Sequence, residues 1–153
     1  METQLYETWQ IHNRIVLYLL VAIDEAGLAA RLANKGRTVG QIFAHLHNNR
    51  LAWLESAAPT QMSNLAKLGK DTPLNQALLQ QALLDSVQII DQLLQKVVPA
   101  GRISGFKPHP TAFVAYLISH EAYHHGEIGL ILSQSGRPLD KKVAYGLWEW
   151  GKR

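Results

Sequence analysis

Four long stretches of the chain carry apolar residues at spacings of three and four, the repeat of one face of an α-helix. They cover approximately residues 3–25, 38–57, 73–98 and 110–134. No stretch alternates between apolar and polar residues for long enough to predict a β-strand. Helices with one apolar face bury it against each other, so the pattern predicts an all-α four-helix bundle with a short C-terminal tail.

The ends of the predicted helices carry start and stop signals. Thr38 and Gln41 have the spacing of a capping box at the start of the second helix. Thr72-Pro73 predicts the start of the third helix, because Thr caps helices and Pro fits the first helical position. Pro99 and Gly101 are expected to stop this helix, and Gly136 is expected to end the fourth.

The connections between the helices differ in length. The links at 25–38, with a turn at 34–36, and at 99–110 are moderate, whereas 58–72 is long enough to run the length of a bundle. One helical turn is expected within this long link, at 64–68. A link of this kind makes the second and third helices parallel, which predicts the order up-down-down-up.

Composition narrows the classes of function. The 153 residues are 47% hydrophobic and 18% charged, which predicts one globular domain over 1–153. The formal net charge is +3, and its basic residues are scattered, so we expect no nucleic-acid partner. The longest apolar run, Ile15–Ile23, is far shorter than the ~20 residues of a membrane span, so no membrane association is expected.

The absence of cysteine excludes disulfides, thiolate nucleophiles and thiolate metal sites. It fits a reducing compartment, and we expect the protein to be cytoplasmic. Trp148 and Trp150 in the tail are expected to cover one end of the core. The seven histidines are then the main candidates for demanding chemistry.

His120 and His124 are four residues apart on the fourth helix, so both imidazoles project from one face and can meet one metal ion. This spacing is weak evidence alone, and a third histidine on another helix is needed. The second helix offers His45 and His47, which point about 160° apart. We favour His45, because His47 is predicted to lie closer to the outward-facing side with Arg50.

The string His120–His124 also matches H-E-x-x-H, the zinc-protease motif in which the glutamate is the general base. Such proteases need a substrate-binding strand and a third ligand downstream, and the sequence predicts neither. Glu121 is expected to point away from the face of the two histidines. Glu121 to His124 is also a single E-x-x-H, but a di-iron bundle needs a second copy. The metal-ligating residues that the sequence offers fit one mononuclear ion with three histidine ligands best.

The remaining histidines have weaker functional signals. His12 on the first helix can face the site or lie in the core. His109 is expected to be solvated in a loop between two prolines. His125 is expected to face solvent or a partner subunit rather than the metal, because it is about 100° from His124.

Two segments carry a resemblance to a known family: Val39–Leu46, which opens the second helix, and His120–Ile128. They resemble the DinB-like proteins, also called the DinB/YfiT superfamily, whose signature is one early histidine and a late His-x-x-x-His followed by Arg-Gly-Gln. Carried over by position, the family's metal ligands fall on His45, His120 and His124. This chain has His125 and Glu127 in place of the family's Arg and Gln, which leaves the roles of those two positions open.

The resemblance implies a metalloenzyme with an up-down-down-up bundle, commonly a homodimer, that binds zinc, nickel or a similar divalent transition metal. Some relatives are thiol-dependent transferases or isomerases. It therefore predicts a metal-dependent thiol S-transferase or related enzyme that takes a low-molecular-weight thiol and a small electrophilic substrate, with no nucleophile or general base assigned. The alternatives are a non-catalytic, stress-related metal-binding bundle and an H-E-x-x-H zinc hydrolase.

Overall fold

The computed structural model describes residues 2–32, 35–61 and 65–153, and these contain helices and no β-strand. Two short 3₁₀ helices cover Pro59–Gln61 and Trp150–Lys152. The α-helices in the described residues are α1 (Glu2–Val21), α2 (Glu25–Leu28), α3 (Val39–Ala57), α4 (Gln76–Ala100), α5 (Pro110–Gln134) and α6 (Lys141–Gly146). The predicted all-α class is confirmed, with α1, α3, α4 and α5 as the four long helices.

Contacts between α1 and α4 fix the relative direction of these two helices. Gln10 in α1 hydrogen-bonds Asp91 towards the end of α4. Gln76, the first residue of α4, donates a 3.3 Å hydrogen bond to the carbonyl of Leu20 near the end of α1. The start of each helix therefore lies beside the end of the other, and the two are antiparallel.

Contacts of α3 fix the other two directions. Gly40 at the start of α3 lies beside Leu74, just before α4, and Arg50 further along bonds Ser86 in α4, so α3 and α4 are parallel. His45 lies beside His120, whereas Trp53 contacts Phe113 earlier in α5, so α3 and α5 are antiparallel. The order is up-down-down-up, as the long second link predicts.

The buried apolar residues form two clusters, one around Phe43 and Leu79 and the other around Trp9 and Phe113. On each long helix, one segment packs into the first cluster and another into the second, and the buried polar residues lie between these two segments. These residues are His12, Asn13, His47, Arg50, Ser86, Glu121 and His124. The core is therefore divided by a polar layer across the middle of the bundle, and the chemistry-bearing side chains lie there.

Two predicted helix ends are wrong, and a third is right in only one of its two residues. The first helix ends at Val21 rather than near 25, because Asp24 caps the separate helix α2 by accepting a 2.7 Å hydrogen bond from the Gly27 amide. The third helix begins after Asn75, whose side chain accepts from the Leu78 amide, and not at 72–73. Pro99 does not stop α4 but lies inside its last turn, whereas Gly101, with φ of 67°, ends the helix as predicted.

The predicted turns in the links have mixed outcomes. Residues 65–68 are not helical, so the described part of the turn expected at 64–68 is absent. Asn64, and Asn34 of the turn at 34–36, lie outside the described residues. Gly136 follows the end of α5 with φ of 71°, as its stop signal predicts.

The C-terminal tail differs from the expectation. Leu147 packs against the core, but the Trp148 side chain is 81% exposed and Trp150 is 37% exposed. The tryptophans therefore do not cover the end of the core, and Leu147 makes that contact instead. Within the described residues, no helix is both long and apolar enough to span a membrane.

Candidate metal centre

The structure brings together the three histidines that the sequence singles out. One ligand atom from each of His45, His120 and His124 lies within 4.8 Å of the other two. The ring centroids are 5.2 Å apart for His45 and His120, and 4.8 Å apart for the other two pairs. His124 is buried, and the other two are half-buried, so the cluster lies at the edge of the polar layer.

The spacing of the ring nitrogens suits one metal ion. The Nε2 atoms of His45 and His120 are 3.3 Å apart. In tetrahedral coordination with metal–nitrogen bonds of ~2.0–2.1 Å, the distance between two ligand nitrogens is about 3.3 Å. The chemistry of three imidazoles also fits zinc and nickel. The residues present therefore fit the group that the family resemblance implies.

Local sequence signals position the cluster. The capping box of Thr38 and Gln41 is confirmed, with the Gln41 amide 3.1 Å from the Thr38 hydroxyl, and it fixes the start of α3 before His45. In α5, Pro110 occupies the first turn and the His109 side chain accepts a hydrogen bond from the Ala112 amide. His109 is exposed as expected, and its role as a helix cap is one that the sequence analysis missed.

Two of the cluster histidines are held neutral by their surroundings. Burial first, and then the charges of Arg37 and His124, lower the pKa of His45 to about 4. Burial and the neighbouring His124 also lower the pKa of His120. Neutral imidazoles keep a lone pair free, which is the form that binds a metal.

Two side chains contact the Nδ1 atoms of the cluster histidines and orient their rings. The Glu127 carboxylate lies 2.7 Å from Nδ1 of His124, and the side-chain amide of Asn49 lies 3.3 Å from Nδ1 of His120. The Glu127 carboxylate accepts the hydrogen of Nδ1 and so fixes the His124 tautomer whose Nε2 lone pair is free, whereas the Asn49 amide nitrogen positions the ring of His120. The sequence left Glu127 unassigned, although its i,i+3 spacing from His124 is a signal for this contact.

Glu121 does not face the cluster but lies fully buried in the polar layer. Its carboxylate accepts two 2.7 Å hydrogen bonds from the Arg50 guanidinium and lies 2.8 Å from Nε2 of His12. Burial alone would raise the pKa of Glu121, but the charge and hydrogen bonds of Arg50, with the bond to His12, hold it below its usual range. We call Glu121, Arg50 and His12 the buried network.

The buried network corrects one prediction and resolves another. Arg50 and His47 were predicted to lie towards the outside, yet Arg50 is fully buried and His47 is 2% exposed. His47 hydrogen-bonds the Ala66 carbonyl at 3.1 Å and is not part of the cluster. The preference for His45 over His47 therefore agrees with the geometry. The reason for that preference, that His47 lies towards the outside, was wrong. His12, left open, belongs to the core. The guanidinium of Arg50 also lies 4.9 Å from the centroid of the Trp9 ring.

His125 lies on another side of α5 and stacks on His12 with ring centroids 5.8 Å apart. Burial first, and then the charge of His12, lower the pKa of His125 to about 4. The expectation that it does not face the metal agrees with this placement. His125 is half-buried and its ring packs against α1, so it does not simply face solvent, and contact with a partner subunit stays a prediction.

A cleft of about 350 Å³ opens beside the cluster. His45 lines it together with Ala44, Asn48, Arg37 and Lys70. Neither Arg37 nor Lys70 forms an ion pair with another described residue. The cleft therefore has room for a small molecule and a positive charge at its wall.

The fold and the cluster together define a helical bundle with a candidate three-histidine metal centre. The chain belongs to the DinB family, because the sequence model of that family matches residues 1–148. The comparison with curated proteins and the comparison with solved structures each gave no match.

Proposed function

We propose that this protein is a metal-dependent enzyme of the DinB family, with one zinc or nickel ion held by His45, His120 and His124. The observation that carries the proposal is the 3.3 Å approach of two Nε2 atoms on different helices. Burial keeps both imidazoles neutral, so neither ring carries a charge that would oppose a cation. The site of such an ion would be formed before the metal arrives.

Three protein ligands leave a coordination position open, which is the pattern of catalytic rather than structural zinc. When bound, such an ion supplies Lewis acidity and lowers the pKa of a thiol or water near it. The chain's own contribution is to hold and orient the ligands. Glu127 and Asn49 fix the rings of His124 and His120, and the cleft beside His45 gives access from one side.

The reaction class that we propose is transfer of a low-molecular-weight thiol to a small electrophile. The thiol releases its proton to water, its sulfur forms a bond to the electrophilic carbon, and the leaving group departs with the bonding electrons. Arg37 and Lys70 in the cleft favour a substrate with a carboxylate, because neither cation has an acidic partner among the described residues. We assign no general base.

The hydrolase alternative has little support from the buried network. In H-E-x-x-H proteases the glutamate activates water beside the metal. Here the Glu121 carboxylate is paired with Arg50 and His12 inside the core, and its pKa is held low. In that state the Glu121 carboxylate does not face the cluster, and its affinity for a proton is low.

The test is a panel of thiols and electrophiles incubated with the metal-loaded protein. We expect loss of an electrophile that requires both thiol and metal, measured by liquid chromatography and mass spectrometry. His45→Ala should abolish the reaction. His109→Asn is the matched control, because it removes an exposed histidine and leaves a residue that also caps helices well. Silence across the panel in a metal-loaded protein favours the non-catalytic, stress-related bundle.

We further propose a cytoplasmic homodimer. The family resemblance favours a dimer, and the exposed Trp148 leaves apolar surface for a partner to cover. Light scattering at micromolar concentration should give twice the 17.1 kDa mass of one chain. A mass of one chain would contradict the dimer without affecting the metal site.

A further inference from the structure

The cleft beside the histidine cluster has one cation on each of two separate segments. Arg37 lies two residues before α3, and Lys70 lies in the link between α3 and α4. No acidic residue lines the cleft in the described part of the chain. Neither cation takes part in an ion pair there, whereas Lys67, in the same link as Lys70, pairs with Glu55 at 2.5 Å. The cleft therefore has two positive charges that the described residues do not compensate.

Both cations extend from backbone that hydrogen bonds hold in place. Arg37 is followed by Thr38, whose backbone N–H donates a 2.9 Å hydrogen bond to the Gln41 side chain in the capping box. In the link, the Asn48 side chain bonds both the amide and the carbonyl of Leu68, at 2.8 and 2.9 Å, two residues before the second cation. The backbone at both positions is therefore fixed relative to α3.

The positive charge of the chain is concentrated in the two links that lead to the cleft. Of the 15 basic and 12 acidic residues, the segments 29–38 and 58–75 contain five basic residues and one acidic residue. The rest of the chain is close to neutral. A cleft lined by charges of one sign raises the local concentration of ligands of the opposite sign. The distribution of charge therefore favours an anion in this cleft.

The cleft and the histidine cluster share one environment. His45 belongs to both of them. After burial, the charge of Arg37 contributes to the lowered pKa of His45 and of His120, so this cation acts on the cluster as well as on the cleft. Gln41 adds a polar group to the wall, and because its oxygen accepts from Thr38, it can offer a ligand the donor NH₂ group.

From these features we infer that the cleft binds the doubly charged group of a small organic anion, a dicarboxylate or a phosphate monoester, through Arg37 and Lys70. A guanidinium pairs with two oxygens of a carboxylate or phosphate, and an ammonium adds a point charge. The inference rests on the proposed function only in that it makes this anion part of the substrate, for which Arg37 and Lys70 then determine specificity. Binding of the anion itself does not need the metal.

The experiment titrates the metal-free protein with four small molecules at low ionic strength, because salt screens exposed charges. At about pH 8, above the second phosphate pKa of about 6, succinate and methyl phosphate carry two charges, butyrate carries one and succinamide carries none. The backbone amide signals of Arg37 and Lys70 in NMR spectra report binding.

We expect at least one of the two dianions to bind about three- to fivefold more tightly than butyrate, and succinamide to give no shift. The dianion that binds more tightly identifies the substrate group as a dicarboxylate or a phosphate ester. Equal affinity for butyrate and both dianions, or no binding of either dianion, would overturn the inference.

Three variants separate the two residues from the general positive charge of the links. Arg37→Gln and Lys70→Gln should each weaken binding of the preferred dianion by about three- to fivefold and reduce its preference over butyrate. Lys67→Gln is the matched control, because it removes a cation of the same link that is already paired with Glu55. It should leave the affinity within about twofold. An equal effect of all three substitutions would contradict the roles assigned to Arg37 and Lys70.

The use of metal-free protein keeps this test apart from the test of the proposed function. A protein that binds a dianion in the cleft but shows no thiol reaction when metal-loaded would support the anion site and contradict the enzyme. A protein that catalyses the thiol reaction but binds no dianion when metal-free would contradict the anion site and leave the enzyme supported.

Discussion

Helix α5 carries two polar sites that begin one residue apart and have opposite characters. His120 and His124 belong to the histidine cluster, whereas Glu121 belongs to the buried network. In the network, a carboxylate meets cationic or donor groups from α1 and α3, and the charges compensate each other. In the cluster, imidazole nitrogens from two helices converge at 3.3 Å.

This difference separates stability from function. A buried ion pair with hydrogen bonds on both oxygens holds helices in register and has no capacity for a further ligand. Neutral imidazoles whose Nε2 atoms approach each other have capacity for a cation. Within one turn of α5, Glu121 is therefore held in the core by Arg50, whereas His120 and His124 remain able to bind a ligand.

The largest expected effect is on the buried network. Glu121→Gln should lower the free energy of unfolding by about 3–5 kcal/mol, because it leaves the Arg50 guanidinium buried without a counter-charge. Urea unfolding measures this loss. The double variant Arg50→Met with Glu121→Leu should lose less than the sum of the two single variants.

The same Glu121→Gln variant tests whether metal binding at the cluster is independent of the buried network. Where it remains folded, it should still bind the metal, because Glu121 does not contribute to the cluster. Neither the parent protein nor the variant should hydrolyse peptides. Metal-dependent peptidase activity in the parent that disappears in Glu121→Gln would instead support the zinc-hydrolase alternative.

The second effect concerns the support of the cluster. Glu127→Ala should weaken metal binding by about 10–100-fold, because the 2.7 Å contact to Nδ1 of His124 orients that ring and raises its basicity. Competition with a chromogenic chelator measures the affinity. Glu127→Gln should recover part of it, since an amide oxygen still accepts the hydrogen bond. A large loss of folding stability with unchanged metal affinity would mean that Glu127 acts only in packing.

The third and smallest effect is a pH dependence of the metal-free protein. Burial lowers the pKa of His45 and His125 to about 4 in the folded state, whereas unfolded imidazoles titrate near about 6.5. Between these values the unfolded chain binds more protons, so the free energy of unfolding falls as the pH falls from about 6.5 towards 4. His125→Phe should flatten this slope in urea titrations, and His109→Asn should not. A slope that His125→Phe leaves unchanged would contradict the assignment.

The sequence was sufficient for the features that depend on local spacing. Apolar periodicity predicted the four long helices, and the capping box of Thr38 and Gln41 predicted the start of α3. The long second link predicted the parallel pair α3 and α4. The i,i+4 spacing predicted that His120 and His124 share one site. Each of these depends on a helical repeat or on chain reach.

The features that the sequence did not predict depend on tertiary partners. Arg50 is buried because Glu121 lies 71 positions away in sequence and neutralises it, and a helical wheel of α3 cannot reveal that partner. The start of α4 was misplaced because Thr72-Pro73 and Asn75 are both good start signals. Asn75 is the one whose side chain reaches the Leu78 amide.

The central claim is that His45, His120 and His124 form one metal site, and elemental analysis of the purified protein tests it most directly. After incubation with zinc or nickel and removal of the excess, we expect about one ion per chain in the parent and in His109→Asn, and none in His45→Ala. A parent that holds no ion, or a His45→Ala variant that still holds one, would contradict the account.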